Sequence, residues 1–294
     1  MSNYKYAIIV PNYNNDHGDY HGKTFLANCI ESVLKQTYKK FKLIIVDDMS
    51  DDTSVKTIKK YKKEDSRIFL IQNYRKRYNG GSRNVGIEYA LQKLDIQYFC
   101  FLDGDDWWKY DDVLAYIDKN LDMHEMATLG CEMLKDNDVV NYRTNNKPNC
   151  YEDIWSFSTR VWCTAWDKVI RRDKIKFFCE NTLMEDRVWT YKVADGINWD
   201  KVIGLDRIVY VWNQTNRSSV TKLNNHSWKN STWCHIGHCK EFMATMKHKE
   251  MLPILEKRIN KCIDDLMKGE YYQGWNILLC VVDFITNGKH HDNY

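Results

Sequence analysis

The first hundred residues alternate short runs that are apolar on both faces with longer amphipathic runs, and that rhythm limits what the chain can fold into. Tyr6 to Val10, Phe41 to Val46 (FKLIIV) and Tyr98 to Leu102 (YFCFL) lack the polar alternation of a half-exposed strand. Such strands occur where helices cover a sheet on both sides. Arg67 to Gln72 reads as one more strand. Between these runs, Phe25, Leu26, Cys29, Ile30, Val33 and Leu34 recur at helical spacing within Phe25 to Gln36. Asp51-Asp52-Thr53 puts carboxylates where a second helix would start, a placement the helix dipole favours. Gly80-Gly81-Ser82 reads as a break, after which Arg83 to Leu94 resumes as helix. The alternation predicts an α/β fold: a Rossmann-like, mostly parallel sheet with right-handed crossovers and flanking helices. Ligands of such sheets bind at the carboxyl ends of the strands. The polar residues there are Asn12 and Tyr13, Asp47 and Asp48, and Asp103 to Asp106.

The pattern loosens after residue 125. Asp136 to Tyr151 is polar and loop-like, Arg160 to Ile170 reads as a strand, and Leu183 to Val193 reads as a helix opening with Met184-Glu185-Asp186. Ile208 to Trp212 is a strand, and the pattern is helical from Ser227 to near the end. We expect three parts: residues 1–125 and 126–222 as the two halves of one domain, and 223–294 as a C-terminal helical extension. The apolar stretch Ala7 to Val10 is too short for a signal peptide, and Ile277 to Val282 is too short to span a bilayer. A soluble, cytoplasmic chain without integral membrane association is therefore expected, with its ten cysteines reduced. The residues carry no signal of oligomeric state. A formal net charge of +3 excludes a polycation, and Lys56, Lys59, Lys60, Lys62 and Lys63 read as the solvated face of a helix.

Asp103, Asp105 and Asp106 place three carboxylates within four residues, directly after a buried strand. Their mutual repulsion and desolvation need relief. A divalent cation supplies it, and hard oxygen ligands suit Mg²⁺ or Mn²⁺, which also bridge to phosphate oxygens. The competing reading is an acidic N-cap for a helix over Asp111 to Ile117. The cluster alone fits either, and its place after the fourth strand favours the metal.

At this point the sequence resembles the GT-A fold glycosyltransferases of family 2. The resemblance rests on Ala7 to Asn14 (AIIVPNYN), Cys29 to Tyr38 (CIESVLKQTY), Leu43 to Asp52 (LIIVDDMSDD), Gly80 to Gly86 (GGSRNVG) and Phe101 to Asp106 (FLDGDD). Five ordered motifs are far more specific than any one of them. Thr164 to Arg172 (TAWDKVIRR), Met184-Glu185-Asp186 and the segment from Tyr210-Val211-Trp212 to Arg217-Ser218-Ser219 extend the likeness, with Asp167 where the family usually has Asn. The likeness ends near Thr221.

The resemblance implies a nucleotide-diphosphate sugar donor, with UDP the expected nucleotide, and an inverting, metal-dependent transfer to an acceptor hydroxyl. Pro11, Asn12, Tyr13 and Asp48 should hold the base, Asp48 accepting from its imide N–H. Arg83 should approach the diphosphate or the base, and Lys168 and Arg217 belong to the same donor-binding set. Asp103 should sit near the ribose or the metal, and Asp105, with Asp106, should bind Mn²⁺ or Mg²⁺. Asp186 should deprotonate the acceptor. Two readings of Glu185 stay open: it fixes a neighbouring side chain, or it raises the pKa of Asp186.

A saccharide or glycan precursor is the first expectation for the acceptor. The basic run Arg75-Lys76-Arg77-Tyr78 keeps a hydroxymethylated DNA base as an alternative, and a catalytically inactive sugar-nucleotide scaffold as a third reading. Trp107-Trp108, Trp162 and Trp166 are expected near the site. Cys234, His235, His238 and Cys239 fall in i,i+4 pairs that suggest zinc, against which stands ordinary helix packing, since zinc sites usually draw ligands from separated elements.

Overall fold

The computed structural model describes residues 4–135, 138–143, 164–183, 185–216, 225–247, 249 and 252–268. Nine strands form one mixed sheet in the order β3-β2-β1-β4-β8-β6-β9-β5, with β7 beside β6. They are β1 (Tyr6–Asn12), β2 (Phe41–Asp47), β3 (Ile68–Gln72), β4 (Tyr98–Phe101), β5 (Trp107–Trp108), β6 (Met126–Lys135), β7 (Asp138–Arg143), β8 (Lys168–Arg171) and β9 (Val202–Asn213). The helices are α1 (Phe25–Leu34), α2 (Ser54–Glu64), α3 (Asn79–Lys93), α4 (Val113–Leu121), α5 (Glu185–Ala194), α6 (Asn225–Thr245) and α7 (Leu252–Met267).

Strands β3, β2, β1 and β4 run parallel, as their buried runs predict. Their side chains alternate between two cores, because successive residues of a strand point to opposite faces. Tyr6, Ile8 and Val10 join Leu26, Ile58 and Ile117 from α1, α2 and α4. Ala7 and Ile9 join Val85 and Ala90 of α3 and Trp189 of α5. A third cluster ties Val188 and Tyr191 of α5 to Ile236 and Phe242 of α6 and Leu255 and Ile259 of α7. Strand β8 enters antiparallel between β4 and β6, and β6 then pairs parallel with β9.

Three expectations need correction. Gly80-Gly81-Ser82 does not break the chain but forms the first turn of α3, which begins at Asn79. The glycines are there for closeness: a Cβ on Gly80 would lie 2.1 Å from the Cys179 carbonyl oxygen, and one on Gly81 would lie 1.8 Å from that of Lys76. The stretch expected to be a loop from residue 136 contains β7, which pairs with β6. The strand expected from Arg160 starts at Lys168, with residues 160–163 outside the described residues.

The parallel register fixes where polar ends meet. Asn12 pairs with Asp47, and Ile9 with Phe101, so the turn after β1, the Asp47-Asp48 end of β2 and the acidic turn after β4 share one edge of the sheet. The end of β9 reaches the same edge from the other half of the chain.

Candidate active site

The turn after β1 is built first. Asn12 Nδ2 donates to Asp47 Oδ1 at 2.9 Å and to Ser50 Oγ at 3.2 Å. Both Asn12 and Asp47 are buried. Asp48 Oδ1 accepts from Asn73 Nδ2 at 2.7 Å, and its Oδ2 accepts from the Tyr78 backbone N–H at 2.9 Å. These bonds leave Pro11 and Tyr13 on the wall of a cleft of about 1040 Å³ with its open mouth included. Tyr13 is 46% exposed, and its ring lies 4.8 Å from the Arg77 guanidinium. Asn12, expected to touch the ligand, instead braces the turn from behind, and Asp48 also stands behind the lining.

The acidic turn follows β4 and closes through Asp106 N–H to the Asp103 carbonyl at 3.0 Å. Gly104 permits close packing: a Cβ there would lie 2.7 Å from Asn15 Nδ2 and 3.0 Å from the Pro11 carbonyl oxygen. The three carboxylates then part company. All three border the cleft, but Asp106 is 2% exposed and both its oxygens are engaged. Its Oδ2 accepts from the Tyr210 hydroxyl at 2.6 Å, and its Oδ1 from the Asn213 backbone N–H at 2.8 Å. Asp106 therefore anchors β9, and the metal-ligand role expected for it is corrected by that geometry. The N-cap reading also fails, because α4 begins only at Val113 with Asp112 before it.

Burial, then the charge of Asp103, pushes the Asp105 carboxyl up to about 6, against a hydrogen bond from Asn216 Nδ2 at 2.7 Å. Buried carboxylates short of positive charge are a donor set that suits a hard divalent cation. Among the described residues, no three His, Cys, Asp or Glu side chains converge to hold a metal unaided. A cation at Asp105 and Asp103 must therefore take further oxygens from elsewhere, as Mg²⁺ does from substrate phosphates.

Arg83 lies beneath the cleft, 2% exposed, and joins the two halves of the site. Its Nη2 donates to Asp103 Oδ1 and its Nη1 to Glu185 Oε1, each at 2.6 Å. The guanidinium sits 5.3 Å from the Phe178 ring. Burial opposes its charge, but Asp103, Glu185 and Asp186 outweigh burial and hold it firmly protonated. Glu185 thus fixes a neighbouring side chain, one of the two roles left open for it. Asp186, one residue along α5, also lines the cleft. Burial first, then the charge of Glu185, pushes its carboxyl up to about 7, against the pull of Arg83 and Arg187.

Lys168 is not brought to the cleft. It is 1% exposed and its Nζ donates to the Thr164 carbonyl at 2.6 Å and to Asp167 Oδ1 at 2.7 Å, so its expected donor contact is corrected. Arg217 and Trp162 lie outside the described residues. Trp107 and Trp108 are buried in β5, away from the lining, whereas Trp166 and Trp212 face the cleft.

Sequence reasoning placed Tyr210, Asn213 and Asn216 only within a segment of family likeness and gave none of them a role of its own. Trp166 stacks on Tyr210 with centroids 4.3 Å apart, and Asn213 Nδ2 donates to the Asp105 carbonyl at 3.1 Å. The signal existed: asparagines directly after a strand, the same rule that singled out Asn12.

Residues 7–176 match the model of the family described as "Glycosyl transferase family 2", which is more than half of the chain. The chain belongs to glycosyl transferase family 2. This family 2 chain is 36% identical over 108 residues to the Escherichia coli UDP-Glc:alpha-D-GlcNAc-diphosphoundecaprenol beta-1,3-glucosyltransferase WfgD, covering 37% of this chain and 38% of WfgD. It is 32% identical over 104 residues to the Campylobacter jejuni GalNAc(5)-diNAcBac-PP-undecaprenol beta-1,3-glucosyltransferase, covering 35% of this chain and 30% of that protein. The chain thus spans less than half the length of these curated relatives. Among solved structures, S. aureus TarS 1-349 in complex with UDP superposes with a TM-score of 0.56 at 15% identity, covering 98% of this chain and 93% of that one. The mannosyltransferase PcManGT from Pyrobaculum calidifontis, in complex with GDP-Man and Mn2+, gives 0.56 at 15% identity, with 97% and 76% covered. Identities this low speak for the fold alone, and that fold is GT-A.

Two other constellations find different uses. Arg75 pairs with Glu88 and Glu180, and Arg77 sits over Tyr13, while the basic run after β3 is exposed. His238 directs Nε2 to the Glu180 carbonyl and Nδ1 to Glu241, while His235 meets Cys239 within α6. Among the described residues these four do not gather as a metal site. No helix among them is long and apolar enough to cross a membrane.

Proposed function

We propose that this family 2 chain transfers a sugar, with inversion, from a nucleoside-diphosphate donor, UDP in the first instance, to a hydroxyl of a saccharide carried on a polyprenyl diphosphate. The observation that carries the reading is that Asp103, Asp105 and Asp186 line one cleft, with Arg83 bonded to both Asp103 and Glu185. Tyr13 offers a ring for the base, and Asp48 braces the segment behind that wall through Asn73 and Tyr78. Asp103 and Asp105 would hold Mn²⁺ or Mg²⁺ together with the diphosphate, and the ion would neutralise charge on the leaving group. Asp186 takes the acceptor proton as the hydroxyl attacks from the face opposite the leaving group. A carboxyl near 7 is a stronger base than an ordinary one and is still about half ionised at neutrality. Arg83 bridges Glu185 and Asp103, so that Asp186 has a fixed neighbour. Trp166 and Trp212 line the same cleft, where their faces suit a sugar ring. The acceptor class is supported by the diphosphoundecaprenol and PP-undecaprenol substrates in the names of two relatives.

A donor panel with Mn²⁺ or Mg²⁺ and a polyprenyl-diphosphate saccharide, read as released nucleoside diphosphate, tests the reading. Release that depends on acceptor and is lost in Asp186→Asn, with donor binding kept, supports it. Silence with every donor in the presence of metal overturns it and favours a sugar-nucleotide-binding scaffold.

A further inference from the structure

The family match ends at residue 176, yet Glu185 and Asp186 lie beyond it, delivered by a strap of residues 177–183. On one side the strap grips the start of α3. The Phe178 backbone N–H donates to Asn84 Oδ1 at 2.7 Å, and Asn84 Nδ2 donates to the Phe178 carbonyl at 3.1 Å and to Glu180 Oε1 at 2.9 Å. Asn84 is the neighbour of Arg83, and the Phe178 ring stacks on Trp189 of α5 at 4.4 Å. On its other side the strap meets α6. His238 Nε2 donates to the Glu180 carbonyl at 2.9 Å, and Asn181, in the left-handed region with φ 60°, donates from Nδ2 to Cys234 Sγ at 3.7 Å. Glu241 holds His238 Nδ1 at 3.1 Å, which orients the ring.

We propose that His238 is a positioning residue: by holding the Glu180 carbonyl it fixes the strap, and so sets where α5 presents Glu185 and Asp186 to Arg83. The proposal rests on the reading of Asp186 as the base. It gives the helical segment after the matched region a part in the chemistry from outside the cleft lining, since His238 is not among the residues that line it. Hydrogen bonds with Cys179, Glu241 and the Glu180 carbonyl outweigh burial and push the His238 imidazole up to about 9, so both ring nitrogens donate at neutral pH.

The test compares His238→Ala and His238→Gln with the unaltered full chain. Gln retains an N–H able to reach the Glu180 carbonyl. The expected result for His238→Ala is a fall in kcat of roughly tenfold, the weight of one hydrogen bond from a charged group, with donor KM within about twofold. Amide exchange across residues 178–183 should rise, while β1 and β2 stay protected, and His238→Gln should restore both readouts in large part. Three results would overturn the proposal: unchanged exchange in the strap, faster exchange with unchanged kcat, or a loss that Gln does not rescue. An unaltered chain that never turns over would count against the transferase reading instead, and the exchange comparison would still decide whether His238 fixes the strap.

Discussion

Replacing Arg83 by Met keeps an apolar stem of similar length against Phe178 and removes the charge between Asp103 and Glu185. Breaking a buried ion pair from one side costs about 3–5 kcal/mol. Asp103 has a side chain 23% exposed and can rehydrate, whereas the Glu185 side chain is 7% exposed and cannot, so the low end, about 3 kcal/mol, is expected. At roughly 2–4 °C per kcal/mol for a chain of this order, the Tm should fall by about 6–12 °C. The loss should also depend on pH. Burial already holds Glu185 above the usual carboxylate range, with Arg83 the leading opposing influence. Without Arg83 the folded-state pKa rises further above the unfolded value of about 4.3. The folded state then binds more protons than the unfolded one across that window, and stability falls as pH rises through it. The Tm gap between the variant and the unaltered chain should therefore widen from about pH 5 to about pH 8, followed by thermal melting or urea titration without donor. Arg83→Lys should recover only part, since an ammonium cannot form the planar fork that reaches both carboxylates. A gap under about 2 °C, or one flat with pH, would refute the idea that Arg83 offsets the burial of Glu185.

Three further outcomes follow from the same geometry. With Asp186 near 7 and active when ionised, kcat/KM should rise about tenfold per pH unit below about 7 and level above it, a limb that a pH–rate profile would show and that Asp186→Asn should abolish along with turnover. Asp105→Asn should weaken Mn²⁺-dependent UDP binding by tenfold or more in calorimetry, by the loss of a charged ligand. Because burial and Asp103 raise the Asp105 carboxyl to about 6, its charge opposes folding above that pH, so the metal-free variant should melt a few degrees higher than the unaltered chain at alkaline pH. Gly104→Ala sets a Cβ 2.7 Å from Asn15 Nδ2, so the turn must shift; UDP affinity should fall at least tenfold and Tm should drop, and unchanged affinity would show that the turn does not set the donor site.

The parallel half was legible because its strands are buried on both faces. Continuous apolar runs need no partner elsewhere in the chain to be recognised, and in a parallel sheet their polar ends must share an edge. That is why Asp103, Asp105 and Tyr13 could be placed from the sequence. Strand β6 was not legible for the opposite reason. Its sequence, MATLGCEMLK, is buried almost throughout, but its partners β8 and β9 lie far along the chain, and its near partner β7 falls in a polar stretch that reads as loop. The same distance hid the Arg83 bridge, whose two ends lie 20 and 102 residues away.

Direction proved harder to read than identity. In a tight turn, adjacent residues point to opposite sides, so Asp105 and Asp106 are alike as letters and unlike in role. Only Tyr210 and Asn213, 104 and 107 residues from Asp106, reveal which carboxylate turns inward. A cluster of like charges therefore marks the site but does not divide its labour. The division is made by long-range donors: Tyr210 and Asn213 engage both oxygens of Asp106, Arg83 takes Asp103 and Glu185, and Asp105 lines the cleft on one side and Asp186 on the other. Burial pushes these two carboxyls up to about 6 and about 7 and raises Asp106 and Glu185 as well, so what separates the four is the partners that hold them.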